Sequence, residues 1–194
     1  MKKLLDVLKG SDEVKIASLA EIVEKMEESA VWKIKRYNSE EDRQKAVVYS
    51  REGALKLFGA PQFTEIQGNV LLNEGINALF THICSSGGTK WDNSNARLGV
   101  GDSTTAEDAT QAGLLAATNK LWKGMMAGFP TYGTSQKATW KSEFLGAEAN
   151  WAWEEFTVVN TADDAGDNLN RKVDAQGTKT SGQVWELSLE ISLS

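Results

Sequence analysis

The stretch Gln183-Val-Trp-Glu-Leu-Ser-Leu-Glu-Ile-Ser-Leu-Ser194 decides the fold. Trp185, Leu187, Leu189, Ile191 and Leu193 occupy every second position, and Glu186, Ser188, Glu190, Ser192 and Ser194 fall between them. Successive side chains of a strand point to opposite faces, so this spacing gives one apolar and one wet face. On a helix the same residues would scatter around the circumference. A strand buried on one face needs hydrogen-bonded neighbours and a second layer over that face. The segment therefore predicts a sheet packed against something else.

Working back from it, the chain is rich in short strand signals. Ala96–Gly101, Ala138–Phe144, Asn150–Val159 and Leu169–Asp174 are strand-like, while 102–109, 160–168 and 177–182 are polar or turn-rich. Residues 112–121 fit neither pattern. Short strands separated by turns, with no helices between them, predict an antiparallel sandwich. Ahead of them, Leu71, Leu72, Gly75, Ile76, Leu79, Phe80 and Ile83 form a broad stripe at three- and four-residue spacing, which predicts a helix over 69–84. Gly75 inside it costs about 1 kcal/mol against alanine, and a close approach to a neighbouring backbone would account for it.

The first third reads differently. Ser11-Asp-Glu caps a helical pattern with Ile16, Leu19, Ala20, Val23, Met26 and Ala30 on one narrow stripe and Glu21, Glu24, Glu27 and Glu28 elsewhere. Val31–Tyr37 alternates apolar with basic residues as a short strand or a linker. A second helix is predicted from Asn38-Ser39 to Phe58, ended by Gly59-Ala60-Pro61. Residues 1–65 are net neutral, whereas 66–194 carry the whole charge of −6, and six of the seven tryptophans lie beyond residue 90. The expectation is an α+β chain: a helical N-terminal extension (1–65) followed by an antiparallel β-sandwich domain (66–194) opened by the 69–84 helix.

Composition narrows the function. No apolar run approaches the roughly 20 residues that span a bilayer. The acidic balance argues against a general nucleic-acid binder. A single cysteine, Cys84, leaves no intrachain disulfide framework and fits assembly in a reducing cytosol. The single histidine, His82, cannot supply a multi-histidine metal site. It lies near a helix C-terminus, where capping or packing is the preferred role. His82 and Cys84 are two residues apart on a helix and point apart, so they do not form a catalytic pair, and a buried or half-buried thiol is expected. Gly99-Val-Gly-Asp102 lacks the third glycine of a dinucleotide fingerprint and the lysine of a P-loop, so a tight strand exit using glycine's backbone freedom is preferred.

Asp92, Asn93 and Asn95, and Asp163, Asp164, Asp167 and Asn168, are oxygen-rich enough to consider for calcium, but neither set has EF-hand spacing, and local turn bonding is preferred. Trp140, Trp151, Trp153 and Trp185 would make either a carbohydrate platform or a core, with the core preferred and Trp185 meeting Trp151 and Trp153 inside it. Glu154 and Glu155 are adjacent in a strand and face opposite ways, so they do not make a glycosidase pair. These residues yield no catalytic, cofactor or metal assignment.

Five segments together carry a resemblance. They are Leu72-Asn-Glu-Gly-Ile-Asn-Ala-Leu-Phe80, Asn95-Ala-Arg-Leu-Gly-Val-Gly-Asp-Ser103, Asn150-Trp-Ala-Trp-Glu-Glu-Phe156, Leu169-Asn-Arg-Lys-Val173 and Gly177-Thr-Lys-Thr-Ser-Gly182. In this order they resemble small structural proteins of tailed bacteriophages, over about residues 68–194. The resemblance implies a β-rich, non-enzymatic virion component, assembled in the host cytoplasm, whose partners are the major capsid protein or other virion proteins. A capsid decoration or head-fibre role is expected, with a tail-tip, collar or fibre-base role and weak host-glycan binding as the alternative. Homo-oligomers, trimers by analogy, are expected; nucleic acid, membrane, cofactors and metals are not.

Overall fold

The computed structural model describes residues 29–48 and 61–193. Of the helix read over 11–30 only residues 29 and 30 lie within them, and these are not helical; the second half of the one read over 38–58 lies outside. Two antiparallel five-stranded sheets dominate. The elements are β1 (Val31–Tyr37), α1 (Glu40–Val48), β2 (Gln62–Gln67), β3 (Val70–Leu71), α2 (Asn73–Cys84) and β4 (Arg97–Gly101). They continue with β5 (Lys120–Gly124), β6 (Thr131–Thr134), β7 (Lys137–Phe144), β8 (Glu155–Val159), β9 (Asn168–Val173) and β10 (Val184–Ser192). One sheet has the order β2-β1-β10-β7-β6, the other β3-β9-β8-β4-β5. Among the described residues the chain is thus α+β, with a β-rich body and two short helices.

β10 is the central strand of the first sheet. Its register sets Leu187 against Ile34, Leu189 against Trp32, Trp185 against Phe144 and Leu189 against Trp140. All of these side chains are buried, as the period-two spacing requires. The charged positions between them form a polar ladder on the opposite face. Lys33 pairs with Glu65 at 3.6 Å, Lys137 with Glu190 at 3.0 Å and Lys141 with Glu186 at 2.6 Å. Arg43 of α1 reaches down to Glu186 at 2.8 Å and also meets Glu143, which ties that helix to the sheet.

The apolar faces of both sheets meet in one core. Leu98, Val100, Phe156 and Val158 of the second sheet enter it together with Trp32, Ile34, Leu187 and Leu189 of the first. Trp32 touches Phe156 across it, with ring centroids 5.7 Å apart. Trp153 stands at its centre, 4.9 Å from Phe144 and 4.7 Å from Trp185, both edge-on.

The sequence boundary at residue 65 needs correction. β1 and β2 hydrogen-bond to each other and, through β1, to β10, so the composition change near 61–68 runs through a sheet rather than between domains. Residues 31–37, read as a short strand or a linker, form the strand β1, with Lys33 and Lys35 on its wet side. The strand read over 150–159 is also shorter than expected. Only 155–159 is extended in the sheet, and Ala152 makes an isolated bridge to Thr178.

Gly75 does mark a close approach. A Cβ there would stand 2.5 Å from the Leu169 Cα and 2.6 Å from two β9 carbonyl oxygens. Gly75→Ala is therefore expected to destabilise by about 1–3 kcal/mol. Helix propensity alone would favour alanine by about 1 kcal/mol, so a stabilised variant in urea unfolding would show that α2 lifts freely from β9.

Candidate interaction surfaces

The buried ionic groups hold loops onto strands. Glu155 and Arg171, both fully buried, pair at 2.7 Å on the face of the second sheet away from the core. The same Glu155 accepts from the Leu115 amide at 2.9 Å and the Ala116 amide at 2.7 Å. Arg171 donates onward to the Thr105 carbonyl at 2.9 Å and to Gln111 Oε1 at 2.8 Å. Residues 102–119, which form no helix or strand, are thereby bound over the sheet, with Leu114 and Ala116 buried beneath them. This layer explains why β8 is buried on both faces, where a strand open on one side would alternate.

It also explains Gly99 and Gly101. A Cβ at Gly99 would come within 2.8 Å of Trp122 and 2.9 Å of Thr157, and one at Gly101 would collide with Glu155. These glycines make room within β4; they do not mark a strand exit.

Lys179 plays a similar part. Its Nζ donates to the carbonyls of Leu145 (2.8 Å) and Glu148 (2.9 Å) and to Asn150 Oδ1 (3.0 Å). Burial pulls its ammonium from the ordinary 10.5 down to about 8, against the opposing pull of Glu148 and Glu40. Below pH 8 the cost of burying the charge is fully present. Between pH 8 and 10.5 the unfolded chain holds this proton more often than the folded chain, so stability through this group rises with pH. Tyr37, pushed up to about 12 mainly by burial, acts with the opposite sign, but only above its ordinary 10.0. Wild type is thus expected to gain stability relative to Lys179→Met between about pH 8 and 10. Urea midpoints that stay parallel across that window would refute the assignment.

The residues singled out from sequence are dispersed. His82 sits on the edge of the Trp91 ring, centroids 5.6 Å apart, with Nδ1 3.2 Å from the Gly87 carbonyl and Nε2 3.1 Å from that of Thr89. It pins the loop after α2, in keeping with packing. Cys84 is exposed rather than buried, as are its neighbours Ile83 and Ser85 at the end of α2. Asp92 Oδ1 accepts from the amides of Ser94 and Asn95 and from Asn95 Nδ2, the bonding of a local turn. In the second acidic set, Asp163 accepts from the Ala165 amide, while Asp164 holds the Leu114 amide and Lys120. Asp167 accepts from Asn160, and Asn168 accepts from the Thr157 hydroxyl. Burial raises the Asp164 pKa above the usual carboxylate range, against the lowering by Leu114 and Lys120. Among the described residues, no group of three or more His, Cys, Asp or Glu is arranged to hold a metal. Glu154 precedes β8 and is partly buried, while Glu155 is committed to Arg171. The tryptophans form core and no platform: Trp140, Trp153 and Trp185 are buried, and Trp151 packs against them.

Two surface features lie side by side at one end of the body. The first is an apolar groove of about 590 Å³, open to solvent, lined by Leu79, Trp91, Trp140, Leu169, Ile191, Leu193 and the β6–β7 hairpin. The turn of that hairpin is strained: Ser135 and Gln136 adopt φ of 55° and 49°, in the left-handed region that favours glycine or asparagine. Gln136 is fastened by the Leu193 amide, which donates to its carbonyl at 2.9 Å.

The second is a cleft of about 380 Å³ between Asp92-Asn93-Ser94 and Gly128–Tyr132. Asn93 Nδ2 closes its floor by donating to the Phe129 carbonyl at 2.6 Å, and Tyr132 stands over it, 74% exposed. No local pattern announces either feature, since the groove is assembled from positions between 79 and 193. Among the described residues, no helix is long and apolar enough to cross a membrane. No family model, curated protein or solved structure matches this chain.

Proposed function

We propose that this chain is a non-enzymatic structural component of a tailed-bacteriophage virion, an accessory protein of the head such as a decoration or head-fibre protein. Its two sheets would stack as a sandwich, and copies would associate on the particle with the major capsid protein as partner. The observation that carries the reading is the use made of buried charge. Glu155, Arg171 and Glu186 each clamp a loop or helix to a strand, and Lys179 ties its own loop to the 145–150 loop, so the ionic groups of the interior serve rigidity. The five segments whose sequence resembles phage structural proteins fall within this framework. They include α2, β4, β9, the approach to β8 through Trp153, and the Lys179 loop. Particles made without the protein should assemble and package but lack a surface feature. Labelled protein found only at the tail would reject the head assignment.

A second reading, a tail-tip, collar or fibre-base component with weak glycan binding, is favoured by one observation. The cleft under Tyr132 offers an exposed aromatic face above Asp92 and Asn93, and sugars are bound by stacking combined with such polar groups. Adsorption to host envelope that Tyr132→Ala abolishes would support it. Adsorption indifferent to Tyr132 would remove its basis.

A further inference from the structure

We propose that a second copy of this chain docks along the outer edge of β6, in an antiparallel two-fold pairing that seats Tyr132 of each copy in the apolar groove of the other. The four ends of the two sheets are not alike. β2 carries Glu65 and β5 carries Lys120 and Lys123, charges of the kind that keep edge strands apart, and β3 is two residues long. β6 reads Thr-Tyr-Gly-Thr, with neither charge nor proline, and all four residues are exposed. As an end strand it turns one row of backbone N–H and C=O groups away from β7, and among the described residues no strand pairs there.

The hollows at either end of this strand supply the rest of the contact. The groove takes its wall from Gly133 to Ala138, whereas the cleft takes Gly128, Pro130 and Tyr132. Tyr132 shares the cleft with Asp92, the neighbour of the groove residue Trp91, so the ring and the groove lie on one face of the sheet. Across a two-fold axis, residues i and j of one copy meet j and i of the other, so each cleft end meets a groove end. Centred on Gly133, the pairing sets the partner's Tyr132 level with Thr134, in the groove wall. Paired strands lie about 4.8 Å apart, a span that a tyrosine side chain crosses.

Size and charge both suit a second copy. Twelve residues line the groove and seven the cleft, which together approach the roughly 20 per partner of a standard interface. An exposed tyrosine is the residue type that anchors such contacts. Each copy carries a net charge of −6, yet the charged residues of the two hollows are one cation, Lys137, and one anion, Asp92. Lys137 belongs to the groove end and Asp92 to the cleft end, so antiparallel docking brings unlike charges toward each other. In the dimer Tyr132 is covered, so a copy that bound glycan through it would have to be a monomer.

The test uses the full chain. Sedimentation at micromolar concentration should show a reversible dimer. Tyr132→Ala should weaken it by at least about tenfold, since an anchor is lost from both copies. The side chain is 74% exposed, so the fold should survive, with an unchanged near-ultraviolet circular dichroism spectrum. Leu193→Ala, at a groove position 41% exposed, should weaken the dimer as well. The double variant should lose less than the product of the two effects, because the ring and its seat make one contact. A monomeric or trimeric wild type, a dimer indifferent to Tyr132, or fully multiplicative losses would overturn the proposal. Gly133→Cys in a Cys84→Ser background tests the edge itself. A Cβ there meets nothing within 4 Å, and directly opposed residues of paired strands lie about 5 Å apart at Cα, within disulfide reach. Mild oxidation should link the copies through residue 133, whereas Phe63→Cys on β2 should not link them. Linkage through residue 63 alone, or through neither, would overturn the proposal.

Discussion

Arg171→Met is expected to lower the free energy of unfolding by about 3–5 kcal/mol, a large share of the stability of a domain this size. The effect comes from what stays behind. The guanidinium donates to Glu155 through Nε at 2.9 Å and Nη2 at 2.7 Å, with both side chains fully buried. Methionine fills much of the volume but leaves a carboxylate in the interior without its counter-ion. It also leaves the Thr105 carbonyl without its donor and takes one of two donors from Gln111 Oε1. The layer of residues 102–119 should loosen with it. Hydrogen exchange at Leu115 and Ala116 should therefore rise more than exchange in β10.

Replacing both partners, Arg171→Met with Glu155→Met, should regain part of the loss, since a buried pair is often matched by apolar residues of similar size. Recovery stays partial because the Leu115 and Ala116 amides then lack their acceptor. A single Arg171 variant within about 1 kcal/mol of wild type in urea unfolding would mean that water reaches the pair.

Trp153→Ala carries the second large effect, about 3–5 kcal/mol, with an unchanged dependence on urea concentration. Its ring is the meeting point of Phe144, Phe156 and Trp185, and its indole N–H donates to the Ala149 carbonyl at 3.0 Å. Truncation removes the hub of the aromatic cluster and frees the bend at 149–153 as well. Trp185→Ala should fall in the same range, since that ring is buried against Trp153 and carries the Arg36 guanidinium 4.6 Å above it. A near-neutral result at Trp153 would show that the two sheets do not rely on each other for burial.

The parts of this fold that were legible are those governed by local periodicity. β10, β7 and β4 follow from alternation or apolar runs, and α2 from its stripe with Gly75 as the contact point. What escaped depends on residues far apart in the chain. β1 was legible only as a strand or a linker, because the acidic residues opposite Lys33 and Lys35 lie on β2 and β10, which no window around residue 35 contains. Glu155 and Arg171 are 16 residues apart, and the loop they hold joins them from residues 105–116. A charged residue inside each of two β runs, Glu-Phe-Thr-Val-Val and Leu-Asn-Arg-Lys-Val, was the available sign of a buried pair. Cys84 was placed inside because free cysteines are usually buried, yet the end of α2 from Ile83 onward is exposed. The groove and the tyrosine cleft had no such sign, since they are gaps between elements.

The position of β10 between β1 and β7 has a kinetic consequence. The β1–β2 pair and the β6–β7 hairpin are each local, but they share no hydrogen bonds and are bridged by β10 alone. Until residues 184–192 have been synthesised, two half-sheets wait with unpaired edges, and joining β1 to β10 closes a loop of some 150 residues. Such long-range pairing slows folding and leaves sticky edges exposed in the interval. A chain arrested just before residue 184 should therefore be held by chaperones or aggregate, whereas one released past residue 193 should gain its protease resistance in a single late step.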